Sequence, residues 1–426
     1  MARTAGPAVY RVGLWVLFLL LTSVGSPGAA ANRVVYFYNW YGSDPQEPVF
    51  QRAIAEFREA YPDIELELVR GGSVSGQSPT DRLIAMIAAG NPPDVLSFER
   101  SIIIEFAAKG ILRPLDRDLG SLADEFVPGA LQEVIYRGET YGVPWGTDIR
   151  GLFWNKADFA ESGLDAELAP ATMEELDAMA ARLTRADGDG KFTKVGFVPW
   201  LGNWYGVGWL YTFGGEIFDA ESVRPRVNTP NHVRAMEWIQ EYGQRFPYDV
   251  VAAAISGKSG NTFYDRTVSM LPNWNGYANL IQMADPTIEF WAGAMPHPPY
   301  GQNGTWMGGY SHVMLSAARN PEGGVTLLKW VSRPEVEVDL FRSTGSLPTR
   351  WSALAEIGDE LSPTDAILVQ QIDVAWGRPP LWFPPFLNSI QDAMTRVARL
   401  ETSPQDALDE AQRKLEIDFA EILGVE

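Results

Sequence analysis

The chain has 426 residues, no cysteine, and 54 acidic against 34 basic side chains, a formal net charge of −20. That balance excludes nucleic acid or anionic lipid bound through a broad positive field, and no basic stripe offsets it. The length suggests two domains rather than one, with a core large enough to fold without disulfides.

Residues 1–31 carry Arg3 and Arg11, an apolar run from Leu14 to Leu21, and the small residues Ala29, Ala30 and Ala31. This is the charged region, apolar region and cleavage site of a secretory signal peptide. The competing role is a membrane anchor, but the run falls short of the roughly 20 residues a span needs. No later segment reads as a span, so a soluble, exported mature chain beginning at Asn32 is expected.

From there the pattern alternates. Val34–Tyr38 has the composition of a buried strand, and Asn39–Gln46 that of a loop. Phe50, Ile54, Phe57 and Tyr61 recur at helical spacing over Pro48–Tyr61. Ile64–Val69 alternates as a second strand. Thr80–Ala89 is a second helix, closed by Gly90 and the Pro92-Pro93 stop, and Asp94–Phe98 a third strand. Strand-helix-strand-helix-strand order implies a parallel sheet covered by helices, an α/β architecture. Ligands of open α/β sheets sit beyond the carboxyl ends of the strands, which points to the loops Asn39–Asp44, Gly71–Gly76 and Phe98–Ser101. Trp40, Tyr41 and Glu99 then bring two aromatics and a carboxylate to one cleft. A sugar ring offers an apolar face to stack on an aromatic and hydroxyls that bond best to charged partners. Packing onto the protein body is the competing role for either aromatic.

The stretch Tyr136–Lys156 reads as two extended runs joined by a turn at Gly138. Tyr141, Val143 and Trp145 then keep a two-residue period. Pro144 lacks a backbone donor, so this strand is expected to end or lie at an edge near that point. A second apolar run begins at Leu152. A chain passing between two compact bodies would cross here, bringing Trp145 and Asp148 with it. Further on, Asp187-Gly-Asp-Gly-Lys-Phe-Thr193 begins like a calcium loop, but Val198 stands where the bidentate glutamate belongs, and a hairpin turn is expected. His232, His297 and His312 lack metal-ligand spacing, and His312 is expected in the core or at the seam between bodies. Phosphate-loop, dinucleotide and nucleophile-elbow motifs are missing, so no cofactor, metal or catalytic residue is assigned. Fifteen tryptophans is a high number. Trp204, Trp274, Trp306 and Trp382 stand among Gly, Asn and Pro, which favours display on loops over burial. The last 60 or so residues are helical by periodicity.

The run Tyr136-Arg-Gly-Glu-Thr-Tyr-Gly-Val-Pro-Trp145, the acid Asp148 and the aromatic-asparagine pair Trp154-Asn155 resemble family 1 extracellular solute-binding proteins. Those are the sugar-capturing components of bacterial ABC importers, similar in fold to maltose-binding protein. Gly90–Leu96, Gly110–Asp116, Ala171–Leu176 through Thr184, Gly304–Gly309, Asn320–Glu322, Trp330–Ser332 and Gly345–Thr349 follow in family order, so the resemblance spans nearly all of the mature chain. It implies the two-lobe, type II periplasmic-binding-protein-like fold, each lobe a mainly parallel sheet flanked by helices, joined by a multi-crossing hinge. It places Trp274 and Trp306 in the cleft, with Gly308 on the same returning strand as Trp306. It also makes Arg378 an arginine that reaches the ligand from the last helical section, a surface position being the competing role. Trp204 completes the ligand candidates, with core packing as its competitor. Many relatives are lipoproteins tethered through a cysteine after the signal; Asn32 stands there instead, so a diffusible periplasmic or extracytoplasmic protein is expected.

These features lead to the expectation of a monomer that closes two lobes on a carbohydrate, and the resemblance alone implies that it docks on the membrane permease of an ABC importer. The N-terminal lobe is expected to be 32–146 with 295–344, and the C-terminal lobe 147–294 with 345–426. Crossings are expected near Val143–Thr147, Trp291–Pro296 and Gly345–Thr349. The many aromatics favour an oligosaccharide. Two alternatives stay open: an exported glycoside hydrolase or lyase using Glu99 and Asp148, and a sugar phosphate or polyol binder using Arg150 and Arg378.

Overall fold

The computed structural model describes residues 32–38, 46–71, 79–255, 262–301 and 304–424. The signal-like segment, Trp40, Tyr41 and most of the Gly71–Gly76 loop lie outside these residues. Strand β1 (Arg33–Tyr38), helix α1 (Gln46–Ala60), strand β2 (Glu65–Arg70), helix α2 (Pro79–Ala88) and strand β3 (Val95–Glu99) follow in the expected order. β1 lies between β2 and β3 and runs parallel to both, as helical crossovers require. Tyr36, Phe50, Ile54 and Phe57 are fully or almost fully buried in one cluster, so α1 lays its apolar stripe on β1.

The turn expected at Gly138 joins strands β4 (Ile135–Tyr136) and β5 (Glu139–Thr140) in an antiparallel hairpin. Arg137 and Gly138 both have positive φ, 51° and 80°, the signature of a type I′ turn. Strand β6 (Gly142–Asn155) then runs for 14 residues without a break. Short antiparallel hairpins follow, β7 (Arg185–Ala186) with β8 (Phe192–Lys194) and β9 (Phe218–Asp219) with β10 (Arg224–Pro225). Strands β11 (Met270–Trp274), β12 (Phe290–Gly293) and β13 (Met307–Met314) complete the main sheet, ordered β11-β6-β13-β3-β1-β2 with β12 also on β6.

β6 serves two neighbourhoods. Its residues 142–149 pair antiparallel with β13, which itself pairs with β3. Residues 150–155 pair antiparallel with β11 and β12 instead. Pro144 therefore does not end the strand. Among the described residues, β13 is the only named strand paired with it there, so its missing donor interrupts no second ladder. Among the described residues, parallel pairing of named strands is confined to β1–β3; beyond them Thr172–His297, Val195–Val268 and Trp306–Trp376 form isolated parallel bridges.

The second half of the molecule packs helices Tyr205–Gly214, Pro230–Arg245, Leu387–Ala398 and Pro404–Leu423 together. The last two, with Trp351–Glu356 and Pro363–Val369, make the chain end as helical as its periodicity suggests. Their core is aromatic: Trp209 packs on Trp238, Phe197 and Trp204 with ring centroids 4.7, 5.9 and 6.0 Å away. Thr172 caps the helix Met173–Leu183, accepting from the Glu175 N–H at 3.2 Å, while the Glu175 carboxylate accepts from the Ala171 N–H at 2.7 Å. The Asp187 carboxylate is taken up inside its own turn by the N–H groups of Asp189 and Lys191, at 3.0 and 2.9 Å. That is the expected hairpin, and Val198 is buried rather than presented to the loop. No helix among the described residues is long and apolar enough to cross a membrane.

Candidate functional site

The register between β6 and β13 shifts between Gly309 and Tyr310, and a bulge of this kind re-aims the chain. The carbonyls of Gly146, Gly308 and Tyr310 converge on one buried guanidinium, that of Arg100, in the turn after β3. Arg100 Nη1 donates to Gly146 O (2.8 Å) and Tyr310 O (2.9 Å), and Nη2 to Gly308 O (2.6 Å) and Thr147 Oγ1 (3.1 Å). Its Nε donates to Glu133 Oε2 at 2.5 Å. All five donors are used, in a site with no solvent exposure.

Glu133 Oε1 accepts from the backbone N–H and Nε of Arg378, at 2.8 and 2.7 Å. Arg378 in turn ion-pairs with Glu99, the last residue of β3. Burial alone would lower the pKa of Arg378; the charges of Glu133 and Glu99 outweigh it and push the value well up. Two residues beyond the bulge, Asp148 ion-pairs with Arg150 and accepts from Gly308 N–H at 2.7 Å. Burial would raise the Asp148 carboxyl, but the Arg150 guanidinium overrides it and holds the pKa low. Arg150 donates Nε to Asn203 Oδ1 (3.0 Å) and lies with Cζ 3.3 Å from the Trp306 ring centre, a close cation–π contact.

In front of this ionic layer is a cavity of about 220 Å³. Trp145, Asp148, Trp274, Tyr310, Gln46 and Ser346 contribute to its wall. Trp145 is backed by His312, its ring 5.1 Å away. His312 is held by Tyr36 Oη at 2.8 Å from Nδ1, and burial pushes its pKa down to about 3. Three of the expected residues, Trp145, Asp148 and Trp274, thus line one cavity. Glu99, Gly308 and Arg378 belong to the ionic layer behind it. Gly308 is fixed from both sides, its N–H by Asp148 and its carbonyl by Arg100. A Cβ there would stand 3.1 Å from Arg378 Cζ and 3.3 Å from Asp148 Oδ1, so the close approach favours glycine.

The expected loop display of tryptophans fails at three positions. Trp204, Trp306 and Trp382 are 0%, 2% and 0% exposed. The turn formers beside them serve inward contacts: Asn203 N–H donates to Pro272 O at 2.8 Å while its side chain holds Arg150, which turns Trp204 onto Trp209. Thr305 and Met307 bond to the Trp376 backbone on either side of Trp306, setting that ring between Arg150 and the tilted ring of Trp382. A surface position for Arg378 is also excluded, since its side chain is 5% exposed. His312 is in the core as expected. No group of three or more His, Cys, Asp or Glu side chains fit for a metal occurs among the described residues. The sequence reasoning missed Arg100 and Glu133 as members of the site. The one signal was position: Arg100 follows Glu99 at the carboxyl end of β3.

A family model for bacterial extracellular solute-binding proteins matches residues 42–338. The maltotriose-binding protein of Pyrococcus abyssi is 26% identical over 321 residues, covering 72% of this chain and 65% of that protein. The sn-glycerol-3-phosphate-binding periplasmic protein UgpB of Salmonella typhimurium is 25% identical over 386 residues, 83% of this chain and 85% of that one. The solved structure of CpMnBP1 with mannobiose bound superposes with a TM-score of 0.72 at 22% identity, covering 90% of this chain and 99% of the other. That likeness makes the fold the two-lobe periplasmic-binding type expected from the sequence. With a match over most of its length, the chain belongs to the bacterial extracellular solute-binding protein family.

Proposed function

We propose that this protein is the extracytoplasmic binding component of an ABC importer, capturing a carbohydrate, preferably an oligosaccharide, between two lobes. The observation that carries this reading is the cavity wall where Trp145, Trp274 and Asp148 meet. The partly buried Trp274 indole offers an apolar face for a sugar ring, with Trp145 buried behind the wall at 1% exposure, and a carboxylate held ionised offers a strong acceptor for hydroxyls. Relatives described as maltotriose-binding and mannobiose-bound support the ligand class. The binding set is Trp145, Asp148, Trp274 and Glu99, backed by Gly308 and Arg378. Trp40 and Tyr41 belong to it by their place after β1. The lobes are 32–146 with 295–344 and 147–294 with 345–426. β6 changes pairing partners close to the first of these boundaries, which supports it. Ligand stabilises the closed state because it touches both lobes. Residues 1–31 direct export, the mature protein works as a monomer in the periplasm, and the loaded lobes dock on a membrane permease.

The protein captures its sugar without cleaving it. A general acid of a glycosidase needs a raised pKa; Asp148 is pushed the other way by Arg150, and Glu99 is occupied by Arg378. The kinship with UgpB keeps a phosphorylated polyol as the second reading, but Arg150 and Arg378 are each neutralised by a carboxylate. A thermal-shift panel of malto- and manno-oligosaccharides, monosaccharides, polyols and glycerol 3-phosphate tests all of these. Ligand at 100 times its dissociation constant adds about 2.7 kcal/mol of stability. A shift with an oligosaccharide recovered intact is expected. A shift with glycerol 3-phosphate alone, or a cleaved sugar, would sink the proposal.

A further inference from the structure

We infer that Arg100 and Glu133 are positioning residues of the cleft, setting where its carboxylates Glu99 and Asp148 stand. Neither lines the cavity described above. Four charges alternate in one chain of bonds, Glu99–Arg378–Glu133–Arg100, running from the partly exposed Glu99 to a fully buried Arg100. Only the Glu99 end is open to solvent, its side chain 31% exposed against 5% or less for the other three.

A role in stability alone accounts poorly for this arrangement. Burying four charges costs several kcal/mol per ion before pairing, and apolar residues of similar volume commonly stabilise a core as well or better. The bonds instead fix direction. Glu133 gives one oxygen to each arginine, so Arg378 is held at Nε and its backbone N–H and must present Nη1 toward Glu99. A lysine at either position would lack the planar fork that makes this geometry. Arg100 reaches Asp148 by a second route. It holds the Gly308 carbonyl, and the Gly308 N–H holds Asp148 Oδ1. Thr147 Oγ1 also donates to Gly308 O, at 2.8 Å, so that carbonyl is held by two donors. Both cleft carboxylates are therefore oriented from one buried guanidinium.

The binding arm of the test rests on the carbohydrate reading above; the spectroscopic arm does not. Calorimetric titration with maltotriose and with mannobiose would be run on the unmodified protein, Glu133→Gln, Glu99→Gln and the double variant. The arginine Nε–H resonances of the same proteins would be followed without sugar. Glu133→Gln is expected to weaken sugar binding about tenfold and to remove slow exchange from the Arg378 Nε–H while leaving that of Arg150 intact. In the Glu99→Gln background it should cost clearly less than in the unmodified protein, keeping only the part that runs through Arg100 and Gly308 to Asp148. Multiplying losses, or unaltered affinity in a merely less stable protein, would overturn the inference. If the unmodified protein binds neither sugar, the carbohydrate reading suffers, and an unmoved Arg378 resonance still overturns this one. Should Glu133→Gln fail to fold, Arg378→Lys enters the same cycle, with the Arg100 Nε–H as the resonance followed.

Discussion

Two parts of the molecule bury what a sequence would leave outside, and they do it by opposite means. Along β6 and β13 the interior carries an ionic layer, in which three arginines and three carboxylates satisfy one another. Around Trp209 the interior is aromatic, with Trp204, Trp238 and Phe197 within 6.0 Å of its centre. Packing of the second kind is close to non-directional and tolerant of orientation, whereas a network of charge-assisted bonds specifies where each group points. The cavity lies against the ionic part. Direction is what recognition of hydroxyls requires, so the costlier interior is found where a ligand would be read.

The largest effect expected on that contrast comes from Trp209→Ala. It should lower unfolding stability by about 3–5 kcal/mol, the cost of emptying a buried aromatic site. Affinity for sugar, measured in calorimetry below the new melting point, should stay within about twofold. Affinity falling in step with stability would mean that the two interiors are not separate.

Acid distinguishes them next, since each part holds one buried histidine. Burial pushes His312, behind the cavity, down to about 3, and His232, under the helical part, down to about 4. Both folded-state values lie below the unfolded value near 6.5. The unfolded chain therefore binds more protons, and stability present above about pH 6.5 is lost as pH falls toward 4 and then 3. The slope with both groups active is about 2.7 kcal/mol per pH unit. Urea unfolding between pH 7.5 and 4.5 should show it, and His312→Gln should halve it. A flat profile would deny that either histidine is held neutral.

The smallest effect concerns the ligand alone. Trp274→Ala should weaken oligosaccharide binding by about 1–2 kcal/mol with little change in melting temperature, because Trp274 is only partly buried. Unchanged affinity in calorimetry would remove that ring from the site.

Local pattern carried much of this into view. The β1-α1-β2-α2-β3 unit follows from periodicity, the turn from Gly138, and the placement of Asp148 and Trp145 on one strand from the run that holds them. The tryptophans misled because Gly, Asn and Pro mark where a chain bends, and a bend can fold a ring inward as well as outward. Asn203 illustrates this: its amide reads as loop chemistry, yet it is spent on Arg150 and the Pro272 carbonyl. The roles of Arg100 and Glu133 were hidden for another reason, although Arg100 stands in a loop that the strand order already points to. The two residues are 33 positions apart and 245 and more from Arg378, and nothing in the composition of either segment marks a charge that tertiary structure will bury.

The order of strands also governs how the chain is made. β13 sits between β3 and β6, so the main sheet has a gap at its centre until Met314 has left the ribosome. At about 5–20 residues per second, roughly 10–40 s separate the synthesis of β3 from that of its partner. Throughout that interval the nascent protein has no complete sheet to lock it shut. A polypeptide that must be threaded across a membrane before it folds gains time from such a layout, and moving β13 earlier by circular permutation would take that time away.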